Sequence, residues 1–303
     1  MKSIATTKGT KITKGINISW LSVFLVPFVP FVCFVPFVVA LEQPRPERII
    51  SLVPALTEML YAIGAGPQVV AVSSYDEYPA EVRALPRVGA LLDPDTERIL
   101  TLTPDLVITY GSQVDLRTQM SRATIPTFDY RHGGLAHILT TMRELGMLTG
   151  HRSEAERAAA AIEARMAAVR TRVGGRRRPR TLLVFGREPR ALRNIFVSGG
   201  RGFLNDMLEV AGGENVFADV DRESVQASTE IILTRAPEVI LELRSTDMPV
   251  DRELQQELDS WARLASVPAV KTHRVVFITG QATTVPGPRV ADGIERMARA
   301  LHP

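Results

Sequence analysis

The sequence predicts an α/β protein of two lobes, each with a central, mostly parallel sheet flanked by helices, and the two joined by one long α-helix. Three observations carry this prediction. Short β-branched runs alternate with helical periods along the chain, the pattern of parallel sheets covered by helices. A segment of the first half, Glu97 to Ile108 (ERILTLTPDLVI), returns in the second half as Glu230 to Leu241 (EIILTRAPEVIL), with Glu, Ile-Leu-Thr and Pro (Pro104 and Pro237) at the same spacing. The period, about 130 residues, is too long for a solenoid and implies two similar lobes. Between the two copies, Ser153 to Val173 reads as a rod. Ser153 and Glu156 have capping-box spacing, Ala155, Ala158, Ala159, Ile162, Met166, Val169 and Val173 draw one apolar stripe, and Gly174 with Gly175 supplies a left-handed stop.

In chain order, the first 40 residues read as an export segment. Lys2, Lys8, Lys11 and Lys14 precede a long apolar run, and only Lys271 follows them in the rest of the chain. A basic region, an apolar run and small Ala40 fit a secretory signal cleaved near Ala40. An uncleaved membrane anchor is the second reading, weakened by Pro27, Pro30 and Pro36, each of which removes a helical hydrogen bond. Lipidation at Cys33 is the third, with Val32 standing where a small residue is wanted. All three place the rest of the chain outside the cytoplasm, in the periplasm.

Residues 41–150 then form the first lobe. Ile49 to Val53 is a strand broken by Pro54, followed by a helix capped near Thr57 and stopped at Gly64. Val69 to Val72 is a buried strand leading into SSYDEYP, and a helix starting at Asp95 or Thr96 carries Glu97 in its first turn. Strand Leu106 to Thr109, a helix over 113–123, a short strand near Thr127 and Phe128 and a helix over 135–148 complete the lobe. The connecting helix occupies 151–175 and the second lobe 176–303. There TLLVFG is a strand ending at Phe185 and Gly186, GFLNDMLEVAGG repeats the helix-then-glycine layout, and Arg274 to Ile278 is a last strand before a closing helix.

Composition excludes more than it identifies. The net charge of +3 names no partner, and the cluster Arg176, Arg177, Arg178 and Arg180 beside two glycines reads as a solvated linker rather than a nucleic-acid surface. Cys33 is the only cysteine, so the folded part has neither a disulfide nor a cysteine metal site. GGRGFLN has Asn205 where a dinucleotide fingerprint needs its third glycine, and no Walker loop, nucleophile elbow or HExxH motif is present. His132 and His137 are five apart across two glycines, the wrong spacing for one helix face, and read as exposed loop residues. No residue is assigned a catalytic or metal-binding role. Binding is the better reading. Tyr75 and Tyr78 flank Asp76 and Glu77 at one strand's carboxyl end, and Phe185, Gly186 and Arg187 occupy the equivalent end in the second lobe. Open α/β sheets bind ligands at such ends. Glu97 and Glu230 place the same acid at the same point of each lobe, either to complement a helix dipole or to dock a partner.

SLVPALTEMLYAIG, VSSYDEYP, the acid and proline of ERILTLTPDLVI, LVFGREP, GGEN and GPRV together resemble the helical-backbone periplasmic binding proteins of ABC importers, over essentially all of residues 47–303. That family carries corrinoids, ferric siderophores and haem between two Rossmann-like lobes, and the spacing of SSYxxYP and FGxxP is nearest to its corrinoid-binding members. The resemblance implies a monomeric receptor, not an enzyme, that takes a small-molecule metal chelate, here a cobalamin-like corrinoid, and delivers it to a permease in the inner membrane. It implies ligand contacts at Tyr75 and Phe185, with Gly186 and Arg187 beside them, and at Leu91, where the corrinoid binders have tryptophan. Gln281 and Val285 stand where those proteins have an acidic and a basic contact, and Arg289 matches a family arginine. Glu97 and Glu230 match glutamates that dock on permease arginines. A ferric siderophore or haem is the alternative cargo, with Arg187, Arg190 and Arg193 as candidate anion contacts. An extracytoplasmic Rossmann-like enzyme is the rival from another class.

Overall fold

The computed structural model describes residues 45–245 and 251–303, and the export segment with Cys33 and Ala40 lies outside the described residues. The first lobe runs β1 (Ile49–Ser51), α1 (Pro54–Ala62), β2 (Val69–Val72), α2 (Thr96–Thr101), β3 (Leu106–Tyr110), α3 (Val114–Arg122), β4 (Thr127–Tyr130) and α4 (Leu135–Thr149). Its sheet has the order β2-β1-β3-β4 with every pairing parallel. Then comes α5 (Arg152–Val173), the rod. The second lobe runs β5 (Arg180–Gly186), β6 (Ile195–Ser198), α6 (Phe203–Val210), β7 (Glu214–Asn215), β8 (Ser224–Ala227), α7 (Thr229–Arg235), β9 (Val239–Arg244), α8 (Asp251–Ala262), α9 (Pro268–Lys271), β10 (Val275–Thr279) and α10 (Val290–Leu301). Its sheet order is β10-β9-β5-β6-β8, with β7 paired to β5. β10, β9, β5 and β7 are parallel, whereas β6 and β8 add on antiparallel.

Two helix starts differ from expectation. α1 begins at Pro54, three residues ahead of Thr57, because proline at the first helical position gives up an N–H that has no partner there in any case. Thr57 is instead a buried interior residue whose hydroxyl donates to Ser51 Oγ at 2.8 Å. The rod has no capping box. Left-handed Gly150 closes α4, and the chain turns through His151 directly into α5, so Ser153 lies inside the helix and Glu156 pairs with Arg143 on α4 at 2.8 Å. At the other end the left-handed residue is Gly175, with Gly174 extended.

The internal repeat holds down to single hydrogen bonds. Asp95 caps α2 by accepting from the Arg98 amide at 3.0 Å, and Ser228 caps α7 by accepting from the Ile231 amide at 3.4 Å. The hydroxyls of Thr101 and Thr234 donate to the carbonyls of Glu97 and Glu230, each at 2.9 Å. Thr103 and Ala236 both take positive φ, 46° and 45°, immediately before Pro104 and Pro237. The proline lacks an amide hydrogen and cannot continue the helix, so both copies leave it by the same left-handed step.

Alternation along the strands sorts side chains into a shared inner core and two outer ones. Ile49, Leu106 and Ile108 from the first sheet and Leu183, Val239 and Leu241 from the second belong to one continuous cluster. Their neighbours Ile50 and Val107, or Leu182 and Ile240, face separate outer clusters. The rod closes the inner core. Ala155, Ala159, Ile162, Met166 and Val169 are buried along it, against α4 of the first lobe and α6 and α10 of the second. Because one apolar core runs from sheet to sheet, Ile162→Ala removes packing common to both lobes. It is expected to lower stability by about 2–5 kcal/mol, and chemical denaturation is expected to show one transition for the whole fold rather than two.

Candidate ligand-binding cleft

The carboxyl ends of the parallel strands in both sheets open into one cleft. The chain after β1 supplies Leu52 to Ala55, β3 ends in Tyr110, β4 leads to His132, and Thr284 to Pro286 follow β10. With Leu91 these line a cavity of about 210 Å³. A larger cavity of about 350 Å³ lies beside it, lined by Phe185 from β5, Arg201 to Leu204 at the start of α6, Glu223 and Ser224 at β8, Ser245, and again His132 and Thr284. The walls are mainly apolar with a few polar groups, the ordinary composition of a small-molecule site. Phe185 is steadied by Phe196 on the neighbouring strand, ring centroids 6.5 Å apart. Leu91 is 38 % exposed, and its carbonyl accepts from Gln113 Nε2 at 3.1 Å, which fixes its loop to the start of α3.

His132 stands in both cavities. Its ring packs on Tyr110, centroids 4.9 Å apart, and edge-on to Tyr130 at 5.4 Å, while Tyr130 stacks on His137 at 5.7 Å. Solvent reaches His132 through the cleft, but the surrounding protein disfavours a charge there and holds its pKa below the usual histidine value. Burial likewise pushes the Tyr130 phenol upward.

Of the cationic candidates from the sequence, Arg187, Arg193 and Arg289 are committed to carboxylates, and Arg190 is held through its backbone amide, which donates to Glu257 at 3.2 Å. The Arg187 side chain is fully buried, bonded to Glu242 at 3.0 Å and Glu257 at 2.5 Å and to the carbonyls of Glu188 and Ala191, with its guanidinium over Trp261. It therefore ties β5, β9 and α8 together and does not reach ligand, which corrects its expected place in the site. A charge taken out of water needs such partners. Arg289, which matches a family arginine, is also held by a carboxylate. It forms a bidentate pair with Glu58 at 2.8 and 2.5 Å and lies 4.0 Å over the Tyr78 ring, bridging α10 of the second lobe to α1 of the first. Burial raises the Glu58 pKa above the usual carboxylate value despite that pairing. Gln281 extends this bridge, donating to Glu77 at 2.9 Å and accepting from Arg289 at 3.3 Å. Arg193 pairs with Glu188 at 2.9 Å. Val285 lines the smaller cavity, and Gly186 sits beside Phe196.

Tyr75 is 71 % exposed and outside both cavities, on the loop that bonds to the Leu91 segment through the Ser74 amide and the Gly89 carbonyl at 2.7 Å. That loop is pinned by buried Asp76, which accepts from the amide and hydroxyl of Ser73, and by Arg87, which donates to the carbonyls of Ser73 and Asp76. Glu97 and Glu230 are exposed, one per lobe, each in the first turn of its helix. Hydrogen bonds led by that from Ser228 hold the Glu230 pKa below the ordinary value, so it is an anion at neutral pH. Sequence reasoning missed Tyr110, His132, Arg201, Phe203 and Glu223. The strand-end rule that selected Tyr75 and Phe185 reaches Tyr110 and His132 as well. Glu223 enters through the antiparallel β6–β8 addition, which carried no sequence signal.

Two α/β lobes on a single helical connector, with an apolar cleft across the ends of both sheets, define a two-lobed binding protein. Residues 49–282 match the periplasmic binding protein family, and the chain belongs to that family of extracytoplasmic solute-binding proteins, whose members work with ABC permeases. It is 33% identical over 207 residues to the vitamin B12-binding protein of Yersinia pestis (strain Pestoides F), covering 68% of this chain and 72% of that protein. The periplasmic vitamin B12 binding protein BtuF of Vibrio cholerae superposes with a TM-score of 0.72 at 27% identity, over 84% of this chain and 96% of that one. The periplasmic haem-binding protein RhuT from Roseiflexus sp. RS-1 gives 0.70 at 27% identity, over 84% and 98%.

Removing one partner of a buried pair leaves the other charge uncompensated, so Arg289→Met is expected to cost about 3 kcal/mol. Glu58→Gln combined with Arg289→Met is expected to recover much of that loss in thermal denaturation, because no unpaired charge then remains.

Proposed function

We propose that this protein captures a corrinoid of cobalamin type in the cleft and delivers it to an ABC permease. The observation that carries the reading is the apolar, aromatic cleft at the strand ends of both sheets, in a chain one-third identical to a vitamin B12-binding protein. Phe185 and Phe203 offer one wall to the flat face of a large chelate, and Leu91, Tyr110 and Val285 offer the other. Tyr75, exposed at the end of its pinned loop, is the further aromatic contact in this reading. The continuous core and the Glu58–Arg289 and Glu77–Gln281 bridges oppose wide opening, so closure is small, with a lobe rotation under about 20° between free and loaded forms. The N-terminal export segment brings the chain to the periplasm, where it acts as a monomer.

Glu97 and Glu230 are the docking acids. They stand on matched helices of the two lobes, and rim charges of this kind set orientation and association rate more than affinity. Glu97→Ala with Glu230→Ala is expected to abolish uptake while leaving ligand affinity unchanged; unaltered uptake counts against the role.

The second reading keeps the fold and changes the cargo to haem or a ferric siderophore. It is favoured by Leu91, which gives up an aromatic face, and by the equal similarity to a haem-binding protein. Calorimetry against cobalamin, haem and ferric catecholates separates the two, and no heat with any corrinoid defeats the first. Phe185→Ala is expected to weaken the true ligand at least tenfold, about 1.4 kcal/mol or more. The visible spectrum of protein purified from its own host would identify a retained chelate directly.

A further inference from the structure

We infer that His132 binds the metal of the cargo, its imidazole nitrogen taking one axial position of a planar chelate that arrives with an exchangeable water there. The inference rests on the reading above that the cargo is a metal chelate, and narrows it to chelates with an open axial site.

Position is the first argument. Among the described residues only His132 and Thr284 belong to both cavities, so His132 stands where they meet, at mid-cleft and just past the carboxyl end of β4. A chelate lying across both cavities has its central metal above that junction and its periphery against Phe185 and Phe203 on one side and Leu91 and Val285 on the other.

Chemistry is the second. Among the described lining residues His132 is the single neutral nitrogen donor; Arg201 is a permanent cation, and Glu223 and Tyr110 offer oxygen. Imidazole suits the iron-type transition metals better than hard oxygen donors do. Among the described residues no group of three or more His, Cys, Asp and Glu is arranged to hold a metal. The protein therefore supplies one ligand, and the chelate must bring the rest.

Preorganisation is the third. His137, five residues on, has its Nε2 bonded to the Arg131 carbonyl at 3.0 Å. The His132 ring is held by Tyr110 and Tyr130 through faces and edges, and among the described residues neither of its nitrogens makes a hydrogen bond. A ring fixed by packing, with its lone pair uncommitted, meets a metal with little reorganisation. In the step a metal–nitrogen bond forms from the imidazole lone pair, the metal–water bond breaks and the water leaves. The metal keeps its oxidation state.

The test titrates two probes, aquacobinamide (a corrinoid without its nucleotide base) and haemin, into the full protein, His132→Ala and His132→Gln, by calorimetry and visible absorption together. The expected result is binding by the wild type of at least one probe, with its bands moving to those of its free imidazole adduct at a one-to-one ratio. Both variants are expected to bind that probe at least tenfold more weakly without the shift, and added imidazole is expected to restore the shift in His132→Ala. A shift with aquacobinamide alone assigns a corrinoid, and with haemin alone a haem. Heat without a shift in the wild type, or an equal shift in the variants, overturns the His132 role and leaves the cleft reading intact. No heat with either probe overturns the His132 role, and the cleft reading is then decided by the cobalamin and ferric catecholate titrations.

Discussion

The apolar stripe of α5 is the constraint on which the rest of the molecule depends. One chain crossing joins the two sheets among the described residues, and a bare helical link would leave the lobes free to swing. The link is not bare. Ala155, Ala159, Ile162, Met166 and Val169 are buried between α4 and the pair α6 and α10, and the cluster they complete reaches strands of both sheets. Small residues near the start of the stripe let the helices approach closely: a side chain at Gly146 of α4 would fall 2.3 Å from the Ala155 methyl. The lobes thus share an interior, and the cleft lies between walls whose separation is set by packing.

Polar groups reinforce that geometry rather than line the cleft. Arg187 and Arg244 together neutralise two buried glutamates, Glu242 and Glu257, where β5, β9 and α8 meet, and Arg289 with Glu58 and Gln281 with Glu77 tie one lobe to the other. Asp206 of α6 caps the start of α4 by accepting from the Leu135 amide at 2.9 Å, another contact across the lobes. Low-dielectric surroundings make an isolated charge costly and a paired one directional. Most charges near the cleft are consequently paired, Arg201 with Asp221 among them, and the lining is aromatic or aliphatic with His132, Arg201, Glu223 and the hydroxyls of Ser224, Ser245 and Thr284. Such a lining has the ordinary composition of a small-molecule site.

Most strands and most helices were legible because their signals are local. β-branched runs ended by glycine and proline gave Val69–Val72 to the residue, and the 3.6 period gave the rod's buried face. The repeat around Glu97 and Glu230 was legible because equal backbone geometry in two places demands equal caps and equal left-handed exits. The capping box at Ser153 misled because its spacing is necessary for the motif but not sufficient. Gly150 ends one helix so abruptly that the next begins before Ser153 is reached. β6 and β8 were not legible: short antiparallel edge strands of mixed polarity resemble loops until their partners are known.

The sequence by itself determined two α/β lobes, a connecting rod, the matched acids and the strand ends that frame a cleft, since each follows from periodicity or repetition along the chain. Only the tertiary structure decided which side chains face that cleft. Arg187 and Arg289 have the right chemistry and the right place in sequence, yet partners 55, 70 and 231 residues away draw them out of reach. His132 looked like an ordinary loop residue until Tyr110 and Tyr130 held it at mid-cleft. The direction of a side chain is set by whichever distant group offsets its desolvation or packs on its faces, and nothing local in the chain records that choice.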